Sequence, residues 1–446
     1  MSKRRIMGVV LGEGLLALIL AACSGAVTPA PTATEAPAPR YSGARGANVV
    51  TEWNAVAEGV ATSPNDAVTL ALMHIAIHDT LNSIDPRYEP FTVETSAPEA
   101  SPEAGVASAA HTMLFARLPA GARPTLAAAL TSTLAGIPDG PAKTQGIALG
   151  KAVGQALFAF YNPTAGPGLP LPKPGPGVWS APAGTTTITN NFPPAFVALT
   201  FSNVEPFRAP PPVSLTSAAY TADFNESKAI GSVNSTVRTP EQTAIANFWA
   251  PTLLPLYFGQ VARQLSVAQQ LDLWDAARLF AGVTVVGADE NRALNDTKYL
   301  YARWRPQQAI REGDTDGNPD TTGDPAWTAL DPSLANPDYN SGHAANCEGM
   351  SYVLQTLGNA NRLNFTIKIG TVVRMYSSLS SAAEECAVSR IYGGSHFRKS
   401  IEAGIAQGHK IAVNVVTNFF RPLLPTPPPN RRHGSAPNGP PIAGLP

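Results

Sequence analysis

Apolar residues spaced three and four apart recur from Val49 almost to Phe420, and no other pattern constrains the fold of this chain as strongly. The spacing predicts helices over VVTEWNAVAEGVA, over DAVTLALMHIAIHDTLNSI up to Ile84, and over about 103–118, 124–136 and 142–160. It returns at Ser217, in EQTAIANFWA, in the long run SVAQQLDLWDAARLFAGVTVVGADENRALNDTKYLYARW, after His343, in SSAAEECA, and from His396 to Phe420. Alternating, strand-like runs are scarce, TTTITNNF being the main one, and no repeat of fixed period is present. Residues 162–212 form a long Pro/Gly-rich segment of the kind that serves a function or wraps a surface, here with the pocket mouth as a candidate. The whole predicts an all-α fold: a helical bundle with long Pro/Gly-rich loops.

The ends read differently. Lys3, Arg4 and Arg5 precede the apolar run GVVLGEGLLALILAAC, the layout of a targeting segment. Leu20, Ala21, Ala22 and Cys23 resemble a bacterial lipobox, in which Cys23 is lipidated and becomes the mature N-terminus; the alternative is an ordinary cleaved secretory signal. Either way the mature chain is expected outside the cytoplasm. The predicted organisation is a lipoprotein signal peptide over 1–23, a Pro/Ala/Thr-rich tether over 24–46, one helical domain over 47–421, and a Pro-rich tail over 422–446 that cannot form a core. No later run is long and apolar enough to span a bilayer, so membrane attachment is expected only through lipid. With charged residues at 14% and a formal net charge of -1, nothing marks a nucleic-acid binder.

Chemistry-bearing residues concentrate in three stretches. In KYLYARWRP, Lys298 and Arg305 lie two helical turns apart, so a continuous helix would point both the same way. In NSGHAANCEGM, Ser341, Gly342 and His343 open a helical run, whose free N–H groups and positive dipole end suit an anion. In SRIYGGSHFRKS, Arg390 and His396 flank Gly393 and Gly394, which read as a tight turn aiming both side chains at one point. With Asp296, Glu384 and Glu385 taken as the acids close by, the three cations are expected to share an oxyanion. One imidazole could bond its central atom, as nucleophile or metal-oxyanion ligand, and the other could move a proton. His74, His78, His111, His409 and His433 read as structural. His74 and His78 have the spacing of a metal pair, but core or capping roles fit their apolar helix better. DTDGNPD (314–320) lacks the closing Glu of a calcium loop and reads as a polar turn.

Lys298-x6-Arg305-Pro306, Ser341-Gly342-His343 and Ser389-Arg390-x5-His396 together resemble, in order and spacing, the signature shared by vanadium-dependent haloperoxidases and type 2 phosphatidic-acid phosphatases. EWNAVAEGVA, HIAIHDTLNSIDPRYEPF, SLTSAAYTADFNESKAIG and RTPEQTAIANFWA resemble the soluble bacterial haloperoxidase branch, and the likeness covers about 47–421. It implies vanadate as cofactor, or phosphate in the same site. Lys298, Arg305, Ser341, Gly342 and Arg390 would hold its oxygens. His396 would be the vanadium ligand, His343 the acid–base group, and Lys298 the residue that polarises peroxide. Hydrogen peroxide and a halide or small organic acceptor would be the substrates. The alternatives are an acid phosphatase working through a phosphohistidine at His396, and a lipoprotein that binds phosphate or vanadate without turnover.

Three departures from the pattern carry expectations. Asn340 replaces a Pro and should loosen the turn before Ser341. Ser400 stands where the phosphatase pattern has an Asp that orients the imidazole, which favours the peroxidase. Asn295 and Asn336 replace aromatics of fungal-type chloroperoxidases, which points to bromide or iodide before chloride. Finally, Cys347 follows His343 by one turn and Cys386 precedes Arg390 by one turn, so a disulfide between them would clamp two site-bearing segments; two buried thiols are the alternative.

Overall fold

The computed structural model describes residues 6–7, 48–63, 66–161, 170–185, 198–332 and 335–423. Most of the expected signal segment with Cys23, the tether, nearly all of TTTITNNF, and the tail beyond residue 423 with His433 lie outside them.

The helices fall close to where the periodicity places them. The first group is α1 (Val49–Val60), α2 (Asp66–Ile84), α3 (Pro102–Arg117), α4 (Arg123–Ala135) and α5 (Pro141–Phe160). After the Pro/Gly-rich segment come α6 (Ala218–Ile230), α7 (Pro240–Phe248), α8 (Leu254–Ala268), α9 (Leu273–Tyr301), α10 (Pro306–Arg311), α11 (Gly342–Leu357), α12 (Leu379–Tyr392) and α13 (Arg398–Asn418). The fold is all-α, as expected. α3 packs on α5, α11 on α13, and α2 on α9, so α9 joins the two groups around one continuous apolar core. No helix among the described residues is long and apolar enough to cross a membrane.

Two differences from the sequence reading concern α9. The run from Ser266 is not one helix. Gln270 takes a positive φ of 53° and Asp272 accepts the Trp274 and Asp275 N–H groups, restarting the helix after a break. At the other end the helix stops at Tyr301, with Ala302 left-handed at φ 45°. Lys298 and Arg305 are therefore not two turns apart on one helix. Arg305 lies beyond the reversal, at the N-cap of α10.

A hairpin was also missed. β1 (Phe365–Ile369) pairs antiparallel with β2 (Val372–Tyr376), Phe365 opposite Tyr376, through a two-residue turn with Gly370 at φ 59°. The side chains of Gln260 and Gln264 on α8 bond the main chain of Thr366 and Lys368, satisfying the outer edge of β1. Among the described residues, Ile6–Met7 also pairs with Val93–Glu94, and isolated bridges join Tyr88 to Pro422, Val178 to Arg303 and Ser232 to Ala329.

Two buried carboxylates fasten loops to the bundle. Asp79 accepts the N–H groups of Phe91, Thr92 and Val93 and bonds His78 Nδ1 at 3.1 Å. Asp289 does the same for Leu199 and Thr200. His74 stacks on Phe280 with centroids 5.0 Å apart and accepts from Asn54 at Nε2. Both α2 histidines are thus core groups, and no cluster of three metal-binding side chains exists among the described residues. The 314–320 stretch is a polar turn, in which Asp316 accepts from Asn318 N–H and the Thr321 hydroxyl.

Candidate functional site

The three stretches meet. Lys298 reaches in from the last turn of α9, Arg305 from the start of α10, Ser341–His343 from the start of α11, Arg390 from the end of α12, and His396 from the turn into α13. Gly394, at φ 68°, supplies the left-handed step of that last turn. The Ser341 oxygen lies so close under α13 that a Cβ on Gly404 would come within 2.4 Å of it, so α13 presses directly on the mouth of α11.

All five charged or imidazole groups are buried. The Lys298 ammonium donates to the carbonyls of Pro337 (2.6 Å) and Asp338 (2.9 Å). Arg305 donates from Nε to the Asn336 carbonyl (2.9 Å), from Nη2 to Asn336 Oδ1 (2.6 Å), and from Nη1 to the Ser395 carbonyl (2.7 Å). Its Nη1 also lies 2.9 Å from His396 Nε2. Arg390 pairs through Nη2 with Asp331 (2.5 Å) and through Nη1 with the Trp249 carbonyl (3.3 Å), and its buried Nε has no protein partner. His343 Nε2 donates to the Pro251 carbonyl at 3.3 Å. A carbonyl only accepts, so Nδ1 of that ring keeps its lone pair.

Several expectations need correction. Carboxylates do reach the site, from the 331–338 loop: Asp331 on the cation Arg390, and Asp338 on the His396 imidazole, 2.8 Å from Nδ1. The formal charge of Lys298, Arg305, Arg390, Asp331 and Asp338 is still +1, and burial makes that surplus costly without a guest. At the turn before Ser341, Asn340 is fully buried, its Nδ2 donates to Gln407 at 2.9 Å while its Oδ1 has no protein partner, and the next N–H, of Ser341, donates to the Ser400 carbonyl at 2.9 Å. The Ser341 backbone donor is thereby spent, leaving its hydroxyl and the Gly342 N–H for an anion. Asn295 donates back to the Asn291 carbonyl within α9, whereas Asn336 holds Arg305.

The electrostatics follow from burial. It pulls Lys298 well below the ordinary lysine range, with Arg305 adding to the effect, and lowers Arg305 to about 10. His343 and His396 are pushed well below the ordinary imidazole value by burial first, then by neighbouring cations: Arg390 for His343, Arg305 and Lys298 for His396. Burial raises Asp338, against the pull of Arg305 and the Ser400 hydroxyl. Both imidazoles are therefore neutral at pH 7, one as a potential base and one as a potential ligand.

Cys347 on α11 and Cys386 on α12 are disulfide-bonded, with Cα atoms 6.4 Å apart. The bridge joins the helix that carries His343 in its first turn to the one that ends beside Arg390.

A family model for the VCPO second helical-bundle domain matches residues 278–423, which contain every group of the cage. That match and the relative below support a likeness to the vanadium haloperoxidase superfamily over this stretch. Vanadium chloroperoxidase of Curvularia inaequalis is 31% identical over 172 residues, covering 31% of this chain and 28% of that protein. The chain's match therefore spans less than a third of that relative's length. Among solved structures, a bacterial vanadium-dependent iodoperoxidase superposes with a TM-score of 0.69 at 18% identity, over 85% of this chain and 97% of the other. A holo-type bacterial vanadium-dependent chloroperoxidase gives 0.58 at 16%, over 80% and 92%. At those identities the superpositions establish the haloperoxidase fold.

Asp331, Asp338 and the Trp249 and Pro251 carbonyls were not anticipated from the sequence. The last two carry no side-chain signal. For the carboxylates there was one: a histidine without its usual acid at position 400 needs a carboxylate from elsewhere, and PDYNSGH offers one five residues before His343.

Proposed function

We propose that this protein is an exported, vanadate-dependent haloperoxidase that oxidises bromide or iodide, in preference to chloride, with hydrogen peroxide. One observation carries the reading: three buried cations and a neutral imidazole converge with a surplus positive charge, and the Arg390 Nε donor is buried with no protein partner. A tetrahedral oxyanion supplies what that set lacks.

Vanadate fits the donors, and when bound would act as a Lewis acid toward peroxide without changing its redox state. The chain's own groups do the rest. Arg390, Arg305 and Lys298 balance the negative oxygens, and the Ser341 hydroxyl and Gly342 N–H donate to them. His396 presents a nitrogen lone pair toward the guest. The Nδ1 lone pair of His343 takes a proton from incoming peroxide and returns it to the departing oxygen. Halide preference rests on Asn295 and Asn336 standing where fungal chloroperoxidases carry aromatics. Export and lipidation at Cys23 rest on the sequence pattern of residues 1–23.

The test is a halogenation assay with hydrogen peroxide, orthovanadate and each halide in turn. Wild type should brominate or iodinate and His396→Ala should not; equal rates would end the proposal. A Cys23→Ala variant should leave the membrane fraction. A second reading, phosphomonoester hydrolysis at the same cage, is kept alive by the carboxylate that Asp338 sets against His396. It requires turnover of a phosphomonoester without vanadate, and inhibition when vanadate is added.

A further inference from the structure

We propose that Asp338 is the positioning residue of His396: its carboxylate, braced by Ser400, holds the ring as the Nδ1–H tautomer and turns the Nε2 lone pair into the anion cage. The inference deepens the reading above, because it concerns the ring assigned there to bond the guest. It replaces the expectation that this chain, with Ser400 in the usual acid position, lacks an orienting carboxylate.

The tautomer follows from the carboxylate beside Nδ1. Asp338 is 1% exposed, and the groups that touch its carboxylate are donors. The Ser400 hydroxyl donates to Oδ2 and the Phe397 backbone N–H bonds the same carboxylate. His396 Nδ1 lies 2.8 Å from Oδ1. An oxygen set used only as acceptor requires the hydrogen on Nδ1. Arg305 Nη1 lies 2.9 Å from Nε2 and 3.4 Å from Nδ1, over the ring and not along either lone pair, so the choice of tautomer falls to Asp338; with the hydrogen on Nδ1, Nε2 keeps its lone pair.

Asp338 cannot easily point elsewhere. Its N–H donates to the Arg303 carbonyl at 2.8 Å and its own carbonyl accepts from Lys298 at 2.9 Å, so the backbone is pinned from both directions. Nor is the carboxylate simply a counterion. Lys298 and Arg305 direct their hydrogen bonds to carbonyls, to Asn336 and to His396, and the Asp338 oxygens go to Ser400, Phe397 and His396. Ser400 serves both elements: its hydroxyl holds Asp338 while its carbonyl accepts the Ser341 N–H at 2.9 Å. The acid comes from the loop before α11, and the serine from the first turn of α13.

The full chain, labelled with nitrogen-15 at its seven histidines, tests this before any anion is added. His396→Gln identifies the signals of ring 396. In wild type, Nδ1 should appear as the protonated nitrogen and Nε2 as the unprotonated one. Asp338→Asn should lose that preference and bind orthovanadate and inorganic phosphate about 10- to 100-fold more weakly by calorimetry. The exchange Asp338→Ser with Ser400→Asp should restore the tautomer and most of the affinity, which a purely structural role would not predict. Finding the hydrogen on Nε2 in wild type overturns the proposal, whether or not any variant folds. So does Asp338→Asn with unaltered tautomer and affinity. If wild type shows the stated tautomer but binds neither anion, the positioning role stands and the haloperoxidase reading falls.

Discussion

Opening the Cys347–Cys386 bridge should cost a large share of what an ordinary domain has in reserve. The cysteines are 39 residues apart, and closing a loop of that length removes unfolded-chain entropy worth about 4 kcal/mol at 25 °C. The native state has little to lose, because both residues are fully buried in the main core and a thiol pair can stay there. The stabilisation therefore resides in the unfolded chain, and reduction should steepen the denaturant dependence as well as lower the midpoint. Against a typical net stability of about 5–15 kcal/mol, that is a large share. Equilibrium guanidinium unfolding of the full chain, with and without reductant, measures it without a mutation. A difference below about 1 kcal/mol would refute the argument from loop closure. Recovery of both cysteines as free thiols in non-reducing peptide maps would refute the clamp itself.

Three more outcomes are expected. Arg390→Lys keeps the charge but loses the fork that reaches Asp331 and the Trp249 carbonyl, so inorganic phosphate should bind about 10- to 100-fold more weakly by calorimetry. His74 is lowered to about 3, by burial first and Arg263 second. Between pH 6.5 and 3 the unfolded chain therefore takes a proton that the folded one refuses, and stability falls with acid by up to about 1.4 kcal/mol per pH unit from this ring. His74→Gln should flatten urea-derived stability between pH 6 and 4 by about one proton; an unchanged slope contradicts the assignment. Gly404→Ala should destabilise the chain by about 1–3 kcal/mol and weaken anion binding with it, since the new methyl meets the Ser341 carbonyl; thermal unfolding and calorimetry on the same sample would show whether the two losses travel together.

How far the sequence discloses this protein depends on whether a feature repeats locally. The helices were legible because their apolar spacing recurs turn after turn, as in α1 and α13. The α8–α9 break was not, because Asp272 can cap a helix or lie within one and only the chain's path decides. The β1–β2 hairpin does alternate, with Phe365 and Ile367 buried, but five-residue strands are too short to stand out among helices. In the site, Lys298, Arg305, Ser341, Gly342, His343, Arg390 and His396 announced themselves by type and spacing. Asp331 and Asp338 did not, because an acid in a Pro-rich loop looks like any turn residue until the fold sets it against a cation or an imidazole.

Lys298, Arg305, Arg390 and His343 all end on main-chain oxygens: those of Pro337 and Asp338, Asn336 and Ser395, Trp249, and Pro251. Every residue type carries that oxygen, so the cavity wall is written in the route of the chain more than in its letters. Replacements at 249, 251, 337 or 395 leave those acceptors in place, whereas adding or deleting a single residue in either loop shifts them all out of step. Tolerance to spelling and intolerance to length is the evolutionary signature such a wall should leave.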